Sequence, residues 1–388
     1  MSSPDLTEAE IKAVVEVSST PTLSIGPMIE RFERAVAGYI GVPHAVGVNS
    51  GTSGLHLCVI AAGIREGDLV VTTPFSFIAS ANCMLYERAI PVFVDVDPLT
   101  ACIDPILLAD CVHDLTQGGE AAVRWLPPGM RRGKKIGNLQ MLLPVHAFGQ
   151  PADMDPIMAT ARASGLTVVE DACEAIGGEY KGRKAGAIGD AAVFAFYPNK
   201  QITTGEGGMV VTNREDWDAL FRSLRNQGRD SFNGWLNHTR LGYNYRLDEM
   251  SAALGLAQIK RIEELLAKRE RVATWYKERL ANQELIETPF IAPTTTRMSW
   301  FVCVVRVKAP AQRDQIVRQL ADTGIPSRPY FTPIHLQPFY RERFGYQRGD
   351  FPVTEYLGDV SLALPFSSVM TEEQVEFVCK NLVHIVEC

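Results

Sequence analysis

The stretch Asp190-Ala-Ala-Val-Phe-Ala-Phe-Tyr-Pro-Asn-Lys200-Gln-Ile-Thr-Thr-Gly-Glu-Gly-Gly208 decides how this chain is read. A strand-like apolar run leads to a single amine, and a turn crowded with glycine follows it. Upstream, the run Leu166-Thr-Val-Val-Glu-Asp171 ends in paired acids. Both runs are continuous rather than alternating, which suits strands buried on both faces. Five comparable runs, at 45–48, 69–73, 91–96, 140–145 and 209–212, share the first 215 residues with them. Helix-period segments lie between. Pro27 opens one of these, with Ile29, Phe32, Val36 and Ile40 on its apolar face and Gly41 closing it. Strands alternating with helices predict an α/β fold with a mainly parallel, seven-stranded sheet. Function is then expected at the carboxyl ends of the strands, where Asp171 and Lys200 fall.

From Asp248 the pattern changes. A capped helix is predicted through Met250, Leu254, Ile259, Ile262 and Leu266 towards Leu280, with a bend at 265–270 because so long a straight run is unusual. It leads into a smaller α+β domain with a strand at 300–307, a helix at 311–322 and a last helix from Thr371. A chain of 388 residues exceeds the size at which one core stops growing, so two domains are expected. These are a large one over residues 1–255, N-terminal arm included, and a small one over 256–388. Residues 113–139 are rich in Gly, Pro and basic side chains (Arg124, Arg131, Arg132, Lys134, Lys135) and predict a long irregular loop.

Composition narrows the function. A net charge of −7 and a pI near 5.6 argue against a nucleic-acid surface or a polybasic membrane anchor. No apolar run reaches the roughly 18 residues of a membrane span, and the first ten residues lack the basic and apolar regions of a signal peptide. The eight scattered cysteines form no C-x-x-C pair and read as reduced core residues, without a metal site. A cytoplasmic enzyme is expected.

An amine and a carboxylate at neighbouring strand ends are the protein groups that pyridoxal 5′-phosphate chemistry requires. The amine bonds the cofactor aldehyde, and the carboxylate keeps the pyridine nitrogen protonated so that the ring can take up electrons. A lone lysine is ordinarily solvated, but the 205–208 glycine run and the Thr203 and Thr204 hydroxyls favour a catalytic Lys200. Asp171 could instead cap a helix, and Glu174 could be a first-turn acid or a pocket residue. Asn49-Ser-Gly-Thr52-Ser-Gly54 follows the first strand and opens a helix, so its amides and the Thr52 and Ser53 hydroxyls form a phosphate cup or a simple cap. Of the aromatics in Thr73-Pro-Phe75-Ser-Phe77, Phe75 reads as core and Phe77 as a ring that can lie on the cofactor. His146 reads as a hydrogen-bonded core group and receives no role.

In combination these stretches resemble the DegT/DnrJ/EryC1/StrS sugar aminotransferases. The likeness rests on Ser50-Gly-Thr52, Thr73 through Asn82, Pro91 through Asp97, Pro144 through Asp153, Val169 through Gly208, Gly242-Tyr-Asn-Tyr-Arg246 and Arg328 through His335. It covers nearly the whole chain apart from 113–139 and leans towards the perosamine-synthase side of the family. The resemblance implies an aspartate-aminotransferase (type I) fold and a homodimer with shared active sites. It implies Lys200 as the cofactor lysine, Asp171 as the pyridinium partner and Phe77 as the stacking ring. Gly51 and Thr52 bind phosphate, Glu174 lies at the cofactor, and Asn244 reaches the phosphate from the neighbouring subunit. Arg328 and His335 contact substrate. Ala195 stands where the family usually has a phosphate-binding Ser, so that bond is lost or falls to Asn199, Gln201 or a water. The implied reaction is amination of a nucleotide-linked keto-sugar with L-glutamate as donor. A sugar 3-dehydratase is the competing reading, but such relatives carry His in place of the lysine; an inosose-type cyclic ketone is the other alternative substrate.

Overall fold

A computed structural model describes residues 2–131, 136–230, 237–308 and 312–387. The seven runs form one sheet: β1 (His44–Val48), β2 (Leu69–Thr72), β3 (Ile90–Phe93), β4 (Leu139–Leu142), β5 (Thr167–Asp171), β6 (Ala191–Ala195) and β7 (Gly208–Thr212). Their spatial order is β1-β7-β6-β5-β4-β2-β3. The pairs from β3 to β6 are parallel, and β7 runs antiparallel to both β6 and β1. The strands are buried almost throughout because helices cover both faces. On one face the helix Pro27–Ile40 lays Ile29, Phe32, Val36 and Ile40 against Phe194, Phe196, Met209 and Val211. Each such side chain contributes on the order of 2 kcal/mol by leaving water. Glu249 caps that helix from 220 positions away, accepting from the amides of Met28 (2.7 Å) and Ile29 (3.0 Å).

The long helix breaks earlier than expected. Asp248 caps Glu249–Lys260 by accepting from the Ser251 amide, and a second helix, Ile262–Leu280, follows Arg261. The break falls at 261 rather than 265–270 because Arg261 is drawn out to Asp5 (3.0 Å) and Glu10 (2.8 Å) of the N-terminal arm. Ile262, Leu265 and Leu266 then join the large core, while Val272, Ala273, Tyr276 and Leu280 join a second core. That second core lies on an antiparallel sheet of Ile286–Glu287, Cys303–Val307, Ser361–Leu364 and Arg328–Pro329, covered by the helices Arg313–Asp322 and Glu372–Glu387. We propose the division into residues 1–255 and 256–388 as an operational one, since position 255 falls inside a helix and the next helix serves both cores. Residues 334–351 return to the large domain, packing Ile334, Tyr340 and Phe344 on Ala81 and Phe93.

The described part of residues 113–139 is less irregular than expected. The helix Pro105–Gln117 runs into them, and short helical turns follow at Gly119–Val123 and Pro128–Met130. Arg124 is paired with Asp114 (2.6 Å), and Arg131 donates to the carbonyls of Leu126 and Arg124. Both guanidinium groups therefore have partners, and Arg132, Lys134 and Lys135 lie outside the described residues. Residue 311 of the expected helix at 311–322 also lies outside them. Among the described residues, no helix is long and apolar enough to cross a membrane.

Candidate active site

A cavity of about 410 Å³ opens at the carboxyl ends of β1, β5 and β6, where the sequence placed function. Asp171 and Lys200 both line it, but they reach it differently. Asp171 is the last residue of β5. Lys200 lies five positions beyond the end of β6, in a turn closed by its amide on the Tyr197 carbonyl (2.9 Å), rather than at a strand end. The glycine run brings this segment against the first strand's loop: a Cβ at Gly208 would stand 2.7 Å from the Ser50 carbonyl. Thr203 and Thr204 spend their hydroxyls on the carbonyls of Phe196 and Glu206 and are buried structural groups.

Asp171 is buried and oriented. Ser80 donates to one carboxylate oxygen (2.6 Å) and the Cys173 amide to the other (3.2 Å). Glu174 accepts from the Phe148 amide (3.0 Å) and stands 3.7 Å from the Lys200 amine. Burial pushes the Glu174 carboxyl above its ordinary range, opposed by the attraction of Lys200. Nζ of Lys200 also sits over the Phe301 ring, 3.9 Å from its centroid.

At the other end of the cavity, Ser50 caps the helix Gly51–Ala61 by accepting from the Ser53 amide (3.1 Å). The Ser53 hydroxyl does not face the cavity as expected; it is spent on Asn49 (2.6 Å) and Ser50 (2.8 Å). Gly51 and Thr52 do line it. A side chain at Gly51 would strike Ala195 and Cys173 at 2.9 Å, so only bare backbone fits there. Phe77 lines the cavity with 63 % of its surface exposed, whereas Phe75 is core. The two side chains weighed as replacements near Ala195 separate clearly. Gln201 donates to the Glu174 carbonyl and to Ser299, and does not line the cavity. Asn199 does line it, and its buried side-chain oxygen has no partner among the described residues.

Two expected residues, Arg328 and His335, are not brought to this cavity. Arg328 is exposed on an edge strand. His335 is fully buried, bonded to Glu355 (3.0 Å) and packed on Phe351, a setting that holds the 334–355 segment together. Asn244, expected in a neighbouring subunit's cavity rather than in its own, is exposed, and its carbonyl accepts from Asn49 (3.4 Å). Conversely, Tyr197, Phe301 and Tyr330 line the cavity without having been singled out. Phe301 and Tyr330 come from the small domain, and nothing local in their sequence signals it. Cys173 is half-buried at the cavity wall rather than in the core; the other six described cysteines are buried thiols.

The donor set fits pyridoxal 5′-phosphate. A bare helix start suits the phosphate, an anchored carboxylate suits the ring nitrogen, and one amine suits the aldehyde.

Comparison with known proteins agrees. The sequence profile of the DegT/DnrJ/EryC1/StrS aminotransferase family matches residues 4–383. A GDP-perosamine synthase of Caulobacter vibrioides is 38% identical over 385 residues, covering 98% of this chain and 96% of that protein. The GDP-perosamine synthase of Escherichia coli O157:H7 is 33% identical, with the same 98% and 96% coverage. Among solved structures, DesV of S. venezuelae superposes with a TM-score of 0.86 at 31% identity, covering 98% of this chain and 94% of that one.

Proposed function

The chain belongs to the DegT/DnrJ/EryC1/StrS aminotransferase family and is a pyridoxal 5′-phosphate-dependent sugar aminotransferase; we propose that in the cytoplasm it converts a nucleotide-linked 4-keto-6-deoxy sugar to the amino sugar, with L-glutamate as donor. The observation that carries this reading is one lysine, Lys200, sharing a cavity with the anchored carboxylate of Asp171. The names of the two relatives, GDP-perosamine synthase, support a GDP-linked sugar.

When bound, the cofactor supplies an aldehyde that accepts the amino group and a ring that spreads negative charge. Lys200 would bond that aldehyde between turnovers. Its freed Nζ would take the proton from the substrate carbon as general base and, as general acid, deliver it to the carbon that had been the aldehyde. Glu174, raised by burial and 3.7 Å away, can hold the proton that Nζ sheds. Asp171 would hold the ring nitrogen protonated, and Phe77 would lie on the ring. Gly51, Thr52 and the free amides of their helix would hold the phosphate. Asn199 would supply the bond that Ala195 does not, since an amide offers a donor as readily as an acceptor. Phe301, Tyr330 and Tyr197 would face the sugar.

The test is a screen of GDP-, UDP- and dTDP-linked 4-keto-6-deoxy sugars against enzyme carrying pyridoxamine phosphate, reading regeneration of the aldehyde cofactor. The GDP-linked ketone should respond fastest; silence with all three would sink the proposal. We further propose a homodimer in which Asn244 of one chain reaches the other chain's cavity. Mixing Lys200→Ala with Asn244→Ala protein should then restore activity, because one hybrid site receives both native residues. No recovery in mixed dimers would refute shared sites.

A further inference from the structure

Arg269 is a buried guanidinium without an acid partner among the described residues. It is 2 % exposed, and every hydrogen bond it makes goes to a backbone carbonyl. Nη1 donates to Trp300 (3.2 Å) and Phe301 (3.1 Å), and Nη2 to Lys200 (2.7 Å) and Asn199 (3.5 Å). Burial lowers its pKa to about 10, which leaves it charged at neutral pH. Taking such a charge out of water is costly unless its donors are matched. A planar fork can satisfy two separate pairs of carbonyls, which a lysine ammonium cannot do.

The two pairs belong to the two segments whose alignment places the amine. One is the turn that carries Lys200; the other leads into the strand Cys303–Val307 and carries Phe301, over whose ring Nζ lies. Trp300 holds a left-handed backbone (φ 51°), a conformation that costs a residue of its size on the order of 1–3 kcal/mol and persists only where its surroundings impose it. Its carbonyl is one of the four that Arg269 binds. On the far side Gln201 ties the same turn to Ser299 (2.7 Å) and to the Glu174 carbonyl (2.6 Å). The lysine turn is thus fastened from two directions. The backbone, more than the four-carbon stem, sets where Nζ can go.

We propose that Arg269 is a positioning residue: its guanidinium clasps the Lys200 turn to the Trp300–Phe301 backbone and thereby fixes the amine between the Phe301 ring and Glu174. The proposal rests on Lys200 being the reacting amine.

Arg269→Met and Arg269→Lys in the full chain test it. In cofactor-free protein, acetylation of each lysine by a small reagent is followed against pH by mass spectrometry. Separately, the rate at which added pyridoxal phosphate becomes attached to Lys200 is measured. Both variants should unfold at a lower temperature yet remain folded at 25 °C, as checked by circular dichroism. The rate of Lys200 labelling should change relative to that of exposed Lys12. Cofactor attachment should slow about a hundredfold, the scale of an ångström-sized misplacement. Arg269→Lys should not rescue, because it keeps the charge and loses the fork.

Unchanged Lys200 labelling and attachment rates in folded variants would overturn the proposal. So would failure of both variants to fold, which would assign the clasp to folding alone. If wild-type protein never attaches the cofactor at Lys200, the functional reading fails instead, and the labelling comparison still decides the role of Arg269.

Discussion

Glu170 and Asp171 are neighbours at the end of β5, and strand alternation sends them to opposite sides of the sheet. On the Glu170 side every demand is met. Its carboxylate accepts from His146 (2.9 Å) and from the amides of Gly186, Ile188 and Gly189 at 2.7–2.8 Å. His146 in turn accepts the Ala152 amide at Nδ1 (3.0 Å), which puts its proton on Nε2, facing Glu170. Burial would raise Glu170, but His146 and the amides of Gly186 and Gly189 outweigh it and hold the carboxyl below its usual range. On the Asp171 side capacity is left over. Lys200 and Glu174 approach only to 3.7 Å, beyond a hydrogen bond, and Glu174 is raised. The same residue types produce a fastening on one side and a reactive site on the other. What separates them is the number of partners, since saturated polar networks rigidify and unsaturated ones remain available to a ligand.

Three substitutions probe that contrast, from the largest effect to the smallest. Lys200→Ala should lower single-turnover amino transfer by about 10⁴-fold, the upper range for a positioned acid–base group, with little change in unfolding midpoint. Transfer at near-normal rate would remove Lys200 from the chemistry. Glu170→Gln should do the reverse. Stability should fall by about 3–5 kcal/mol, the cost of breaking a buried charged network, while turnover per folded molecule is kept. Denaturant titration measures the first and active-site-normalised kinetics the second; lost turnover at full stability would erase the distinction between the two sides. The smallest effect is in pH dependence. Glu170, lowered, adds stability above its unfolded value of 4.5 that is lost as pH falls through its folded value. Glu174, raised, binds its proton more tightly when folded, so its contribution declines as pH rises from 4.5 through its folded value. Glu174→Gln should therefore flatten the alkaline-going decline in melting temperature of the cofactor-free protein, and Glu170→Gln the acid-going one. Identical profiles for the two variants would show that the two environments do not differ.

The sheet was legible because its strands are buried on both faces, so each reads as an unbroken apolar run whose length is set locally. Asp171 was legible because strand ends are where such a fold exposes its groups, whereas Lys200 was legible from its glycine-rich turn, five positions past its strand. Thr203, Thr204 and Ser53 were misread, since hydroxyls near a site look alike whether they face a cavity or a carbonyl. The helix break at Arg261 was misplaced because Asp5 and Glu10, some 250 positions away, decide it. Arg269, Phe301 and Tyr330 were not singled out for the same reason. Their significance depends on which distant backbone they meet, and Arg269 in sequence is one basic residue in the run Lys268-Arg-Glu-Arg271. His335 shows the converse, where a suggestive local segment turns out to serve packing.

The helix Ile262–Leu280 dips one end into each core. Neither lobe could therefore be exchanged between relatives as a module. A transplanted small lobe would bring Ile262, Leu265 and Leu266 to a surface shaped for other side chains, and its Arg269 would meet another protein's lysine turn. Recombination within this group should instead be tolerated in surface segments such as 113–131, leaving the helix and both of its partners to be inherited together.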